Sequence, residues 1–270
     1  MLCFASACMQ RVTSRHNPIV ARFRAAARGE TADLLLLDGV HLVLEAVTAA
    51  LPIRQVAVAA DAADRPDVQQ ILARLRPLPV EIVAASASVM TALSPVRSSS
   101  PIVAVADRPR GEAARVYRAT PLAVVAVGVQ DPGNLGAIVR VAEAGGATGV
   151  VAAGESADPF GWKALRGSMG SALRLSIIRR ADGATAMDEA RRHGCRVVAL
   201  APRGGHRLFD IDLAGPTAVF IGGEGPGLTS ALLSAADERA TIPMQPPVES
   251  LNAAVTAALV VYEARRQRQQ

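Results

Sequence analysis

Between Leu122 and Gly154 the chain reads as strand, helix, strand: "LAVVAVGV", "NLGAIVRVAEAGG" and "TGVVAAG". Two Val-rich apolar runs separated by a segment of 3.6-residue periodicity form a βαβ unit, whose two strands must lie parallel. Parallel sheets are covered by helices on both faces, so their strands are apolar throughout. The alternation goes on: "DPFGWKALRGSMG" is helical, "LRLSIIR" strand-like, "TAMDEARRHG" helical, and "CRVVALA" and "TAVFIGG" are strands. A helix begins near Thr229, the short apolar "ATIPM" follows, and a last helix starts near Ser250. On that helix Leu251, Ala254, Val255, Ala258, Leu259 and Tyr262 share one stripe.

The first hundred residues alternate in the same way. "NPIVARFRAAARG", "VHLVLEAVTAAL", "PDVQQILARLR" and "ASVMTAL" are helical, while "ADLLLLDG", "RQVAVAAD", "VEIVAAS" and "PIVAVAD" are strands. The fold class is α/β, with two layered domains. Residues 1–107 form the smaller, the charged and weakly periodic stretch 108–120 is the linker, and residues 121–270 form the larger. Half of the residues are hydrophobic but only 3% are aromatic, so both cores must be built from Ala, Val, Leu and Ile.

The formal charge is +5, and Lys163 is the only lysine among the basic residues. Base-composition bias accounts for such arginine use, and so would guanidinium contacts to RNA or phosphate. Cys3, Cys8 and Cys195 are odd in number and lack C-x-x-C spacing, so neither a disulfide framework nor a zinc site is indicated; the four histidines are scattered. No metal is expected. The opening "MLCFASACMQ" lacks the basic start of a signal peptide, and Met9 is an alternative initiator to Met1. No apolar run is long enough to cross a bilayer, so no membrane partner and a cytoplasmic location are expected.

Three loops carry the chemistry. In "QDPGNLGAIVR", Asp131, Pro132 and Gly133 make a turn and Asn134 suits the cap of the next helix. Leu135, Ile138, Val139 and Ala142 form its buried stripe, and Arg140 points away from it, either to pair with Glu143 or to enter a cleft at the strand ends. In "FIGGEGPGLTS", Gly222–Thr229 reads G-x-x-x-x-G-L-T, close to a phosphate-binding loop but with Leu228 where the lysine would stand. Glu224 would repel phosphates. The glycines still let a ligand approach the backbone, and one with a cationic or donor-rich group and a flat portion fits. In "IPMQPPVESLNAAV", Pro243, Pro246 and Pro247 stiffen the loop, Ser250 or Glu249 caps the last helix, and Asn252 sits in its first turn.

Taken in order and spacing, "DPGNLGAIVR", "FIGGEGPGL" and "IPMQPPVESLNAAV" resemble the three motifs of the SpoU/TrmH family of RNA ribose 2′-O-methyltransferases, within the SPOUT superfamily. The resemblance runs from Leu122 almost to the C-terminus and includes "DPFGWKALRGSMGSALRL"; "LLLLDGVHLVLEAV" is similar to the ribosomal-protein L30e-like domain that many members carry. It implies S-adenosyl-L-methionine as methyl donor, a trefoil knot in the parallel-sheet domain, and a homodimer formed through that domain. It further implies that Leu200, Ala201, Gly222, Gly223, Gly225, Ile242, Met244, Ser250, Leu251 and Asn252 line the cofactor site. Many relatives carry Asn or Ser where this chain has Gly223, so a side-chain contact is expected to be missing there.

The catalytic group implied is Arg140, Asn134, Glu224 and Asn252, with Arg140 activating the hydroxyl. Since a guanidinium is no base, our expectation is that Arg140 grips the adjacent phosphate and stabilises the developing alkoxide, with Asn134 fixing the loop and Glu224 orienting Arg140 or the substrate. Arg11, Arg15, Arg22, Arg24 and Arg28 make the N-terminal segment a candidate RNA-grasping arm. The expected reaction is methylation of a ribose 2′-hydroxyl in 23S ribosomal RNA. Transfer RNA is the alternative substrate, and a non-catalytic RNA-binding assembly protein is the alternative class.

Overall fold

In a computed structural model of the chain, residues 9–96 and 99–269 are described; Cys3 and Cys8 lie outside them. The chain groups into two compact units. The first takes in the sequence up to Pro109 together with Phe160–Leu173, and the second takes in Arg110–Pro159 and the sequence from Arg174 onward.

The first unit contains β1 (Gln10–Val12), α1 (Pro18–Arg28), β2 (Leu34–Asp38), α2 (Val40–Thr48), β3 (Ile53–Ala59), α3 (Pro66–Leu75), β4 (Glu81–Ala85), α4 (Ala87–Leu93) and β5 (Ile102–Asp107). Its sheet runs β1-β4-β3-β5-β2, with β1, β4 and β3 parallel and β5 antiparallel to both of its neighbours. The leucine run of β2 is apolar because side chains alternate between two covered faces: Leu35, Leu36 and Leu37 are all buried. Helix α1 is bounded by its own sequence. The Asn17 side chain accepts from the Ile19 amide at 3.0 Å, Pro18 opens the first turn, and Gly29 closes the helix in the left-handed region at φ 70°. Its apolar face, Ile19, Val20 and Phe23, packs against Val89, Met90 and Leu93 of α4.

The candidate RNA-grasping arm is part of this unit's packed structure. Arg11 lies in a paired strand, and Arg22, Arg24 and Arg28 lie on a packed helix. The guanidinium of Arg15 donates to the Ser88 carbonyl and that of Arg24 to the Ala92 carbonyl, each at 3.0 Å, and Arg28 pairs with Glu30.

The second unit begins with α5 (Ala113–Val116), β6 (Leu122–Val127), α6 (Pro132–Gly145) and β7 (Gly149–Ala153). The next helix, α7 (Trp162–Ser168), belongs to the first unit. Then follow β8 (Ile177–Arg180), α8 (Gly183–Arg192), β9 (Arg196–Leu200), β10 (His206–Arg207), β11 (Thr217–Gly222), α9 (Ser230–Ala235), β12 (Glu238–Thr241) and α10 (Ala253–Arg268). The sheet runs β10-β12-β9-β11-β6-β7-β8, and every neighbouring pair is parallel. Val125, Val151, Val197 and Phe220 meet Ala186, Met187 and Ala190 of α8 and Leu232 of α9 in one core. Helices α6 and α10 pack together closely enough that a Cβ on Gly145 would lie 2.1 Å from a Val261 methyl. Among the described residues no helix is long and apolar enough to cross a membrane.

Three expectations need revision. The stretch 108–120 is no free linker: Val116 and Tyr117 are buried in the second unit's core, and Thr148 donates to the Val116 carbonyl at 2.5 Å. The segment Phe160–Leu173 groups with the first unit, although the sequence around it builds the second sheet. The apolar stripe of α10 does not face its own core. Ala253, Ala257, Val260, Val261 and Ala264 are buried, while Val255 is 48% and Tyr262 50% exposed.

The core assignment is testable at Phe220, which is fully buried. Replacing it with Ala should cost about 3–5 kcal/mol in urea unfolding. A loss below about 1 kcal/mol would place the centre of this core elsewhere.

Candidate active site

The site is assembled at the C-terminal ends of β6 and β11 and at the start of α10, where open parallel sheets gather ligands. The first loop is set by Asp131. Its carboxylate caps α6 by accepting from the Asn134 amide at 2.8 Å, and Pro132 opens the first turn. Asn134 is therefore not the cap that its residue type suggested, and its side-chain amide is free to bond elsewhere.

The second loop leaves β11 as Gly222 and Gly223. Both are required to be glycine by close approach: a Cβ on Gly222 would lie 2.4 Å from the Leu228 nitrogen, and one on Gly223 would lie 1.9 Å from the Gly128 carbonyl oxygen. The departure at Gly223 is thus a packing requirement of this backbone. It brings the second loop directly against the first, and the Gly223 amide donates to the Val127 carbonyl at 2.8 Å.

The third loop ends in Asn252, which is itself the cap of α10. Its side-chain oxygen accepts from the amides of Ala254 at 2.9 Å and Val255 at 3.3 Å, a task assigned from sequence to Ser250 or Glu249.

One side chain ties the three loops together. The Asn134 side-chain nitrogen donates to the Glu224 carboxylate, and its oxygen accepts from the Asn252 side-chain nitrogen at 3.0 Å. Residues 118 positions apart in sequence are joined by that second bond.

Beside this bridge lies a cavity of about 350 Å³. Leu200, Ala201, Gly222, Gly223, Gly225, Ile242, Met244, Ser250, Leu251 and Asn252 all line it, as does Glu224. Sequence reasoning left out Pro202, Ile221, Pro226, Gly227, Leu228, Leu233, Ala253 and Thr256, which complete its walls. Leu200, Ile221, Ile242 and Leu251 give an apolar slot for a flat group. Glycine backbone offers polar atoms without side chains, and Glu224 supplies the single carboxylate of the lining. No lining residue is cationic, so a polyphosphate would have no counter-charge. The walls fit a neutral or positively charged nucleoside, which is the chemistry of S-adenosylmethionine.

Arg140 does not line this cavity. It stands on the exposed face of α6, six residues or roughly 9 Å of helix beyond Asn134. The expected partner Glu143 instead forms a two-pronged pair with Arg174, at 2.8 Å for each bond. Among the described residues Arg140 meets no carboxylate within ion-pair distance. The five N-terminal arginines belong to the first unit and do not line the cavity.

Residues 121–262 match the SpoU rRNA Methylase family. A 23S rRNA (uridine(2479)-2′-O)-methyltransferase of Streptomyces viridochromogenes is 35% identical over 201 residues, 72% of this chain and 70% of that one. The 23S rRNA (guanosine(2553)-2′-O)-methyltransferase RlmP of Bacillus subtilis is 30% identical over 230 residues, 85% and 88% of the two chains. Among solved structures, the SpoU methyltransferase AviRb of S. viridochromogenes in complex with AdoMet superposes with a TM-score of 0.85 at 30% identity, covering 94% of this chain and 99% of that one.

If Asn134 holds the loops together, Asn134→Ala should speed amide hydrogen exchange at residues 222–229 and 242–252. Exchange in the β6, β9 and β11 amides should stay as in the unaltered protein. Unchanged protection in both loops would show that the bridge is dispensable.

Proposed function

This chain belongs to the SpoU rRNA methylase family, and from that premise we propose that it transfers a methyl group from S-adenosylmethionine to a ribose 2′-hydroxyl of 23S ribosomal RNA. The observation that carries the reading is the Glu224–Asn134–Asn252 bridge beside a cation-free cavity. Ribosomal RNA is preferred over transfer RNA because two relatives of high coverage are named for 23S rRNA. From that substrate we infer a cytoplasmic location.

When bound, S-adenosylmethionine supplies an electrophilic methyl carbon with a thioether as leaving group. The chain's task is to hold the 2′-oxygen about 3 Å from that carbon, in line with the breaking bond. We assign the cavity walls Leu200, Ala201, Gly222, Gly223, Gly225, Ile242, Met244, Ser250 and Leu251 to cofactor binding. Asn134, fixed by Glu224 and Asn252, positions the loop at which the ribose arrives. Arg140 grips the neighbouring phosphate and offsets the charge that grows on the attacking oxygen; a guanidinium has five N–H donors and no acceptor, so it is not the base.

We infer a homodimer through the α6–α10 face. Val255, Leu259 and Tyr262 expose an apolar stripe there, 48%, 37% and 50% accessible, on a helix whose other face is already buried. Because Arg140 lines no part of its own chain's cofactor cavity, we place its guanidinium in the site across that interface. The trefoil knot belongs to the same reading; the parallel order, with β11 inserted between β9 and β6, supports it. We assign the first unit, with its L30e-like pattern and the exposed cations Arg11 and Arg22, which meet no carboxylate within ion-pair distance among the described residues, to RNA capture.

The direct test treats unmodified 23S rRNA and tRNA with the protein and donor, then maps sites by alkaline cleavage. A methylated 2′-oxygen cannot attack its phosphate, so a gap in the ladder names the nucleotide. Gaps confined to tRNA would overturn the substrate, and no gap in either RNA would overturn the activity. Arg140→Ala should lower turnover by about a hundredfold or more while cofactor affinity by calorimetry stays near normal; equal loss of both would remove Arg140 from the chemistry. Leu259→Glu with Tyr262→Glu should give a monomer by sedimentation and lose methyl transfer. A dimer that survives both changes would put the interface elsewhere.

A further inference from the structure

The Gly223–Gly227 loop has a second face. A larger cavity, of about 660 Å³, shares Gly223, Glu224, Pro226 and Gly227 with the cofactor cavity and is otherwise built from the ends of β6 and β7, the start of α8, and α9. Its floor is apolar, with Val127, Met187 and Leu232. That floor is tightly closed: a Cβ on the buried Gly183 would lie 2.6 Å from a Leu232 methyl, so the first turn of α8 rests directly on α9.

The polar groups of this cavity are mostly acceptors. Glu155 and Asp188 are exposed at its rim and have no hydrogen-bond or ion-pair partner among the described residues. Asp182 caps α8 through the Thr185 amide at 2.7 Å, and that bond holds its carboxyl below the usual range. The one lining guanidinium, Arg191, is already engaged by the Asp237 carboxylate at 2.8 Å and by the Ala235 carbonyl. Phosphate is therefore unwelcome here, whereas a flat apolar group with N–H donors on its edge is suited to both floor and rim.

The chemistry of ribose sets where such a group must go. A base is bonded to C1′, the carbon next to the one that carries the reacting hydroxyl. Whatever holds the base must share a wall with whatever holds the methyl donor, and this cavity does. We propose that it receives the base of the target nucleotide, drawn out of its stack, and selects one bearing an exocyclic amino group, guanine best of all.

Guanine presents adjacent N1–H and N2–H donors that a single carboxylate can accept together. Uracil presents one N–H between two carbonyls, which carboxylates repel. Extrusion costs stacking, and the apolar floor returns part of it. The inference rests on the ribose-methylation reading and adds the seat of the base.

Two altered proteins test it. Ala231 lines this cavity and not the cofactor cavity, so Ala231→Trp fills the one and spares the other. The pair Glu155→Gln and Asp188→Asn removes the rim charge without changing volume. Each should reduce kcat/KM for RNA by about tenfold or more while the Kd for S-adenosylmethionine stays within about twofold. The mapped nucleotide should be guanosine, adenosine or cytidine. A uridine target, or RNA kinetics unchanged in both altered proteins, overturns the proposal with methyl transfer intact. An unaltered protein that binds the donor and methylates no RNA overturns the activity itself, and the base seat falls with it.

Discussion

The geometry of the site depends on one side-chain amide. Asn134 has a donor and an acceptor on the same planar group, and it uses the first on Glu224 and the second on Asn252. Neither an aspartate nor a hydrophobe could satisfy both partners at once. The bridge exists only because Asp131 relieves Asn134 of helix capping, and because Asn252 spends its oxygen on the amides of α10 and has its nitrogen left to offer. Each residue of the cluster is thus fixed by its neighbour's commitment. Three loops that a parallel sheet would otherwise leave independent become one wall.

Backbone contact does the rest. With Gly223 against the Gly128 carbonyl, the second loop cannot drift from the end of β6, and Gly222 lets the loop fold back on Leu228. The resulting wall is thin, which is why a cavity can stand on each side of it with Glu224 at both. Absence of any cation from the lining of the smaller cavity follows from the same sequence feature that breaks the phosphate-loop pattern: Leu228 is a buried core residue, and a lysine there would be buried in apolar surroundings.

Much of this was legible in the sequence, because the relevant signals are local. The alternation from β6 onward, the strand-to-helix glycines and the proline-stiffened third loop each announce themselves within a dozen residues. What escaped was decided by tertiary competition. Asp131 and Asn134 are equally good caps by type, and only the chain's path past Pro132 selects the aspartate. Glu143 could have paired with Arg140 one helical turn away, but Arg174 reaches it with two bonds. The stripe of α10 was correctly placed on one face, yet apolar periodicity does not say whether a face meets its own core or another surface. Here the face with Ala253, Ala257, Val260, Val261 and Ala264 packs inward, and the absence of a side chain at Gly145 of α6 lets Val261 approach closely. The edge strand β10 and the grouping of Phe160–Leu173 with the first unit carry no periodic signal at all.

A chain of charge +5 in which both cavities beside Glu224 carry more carboxylates than guanidinium groups poses an electrostatic question. RNA is drawn by its phosphates, and the phosphate term favours guanidinium on open surface, where Arg140 stands on α6. If the smaller cavity were lined by cations, phosphate would compete there with any positively charged nucleoside. With Arg140 on open surface and Arg191 tied to Asp237, carboxylates set the charge of both cavities, which suits groups with donor edges or positive charge. In that division of charge, Glu224 sits at the boundary, lining both cavities, with its carboxylate held by Asn134.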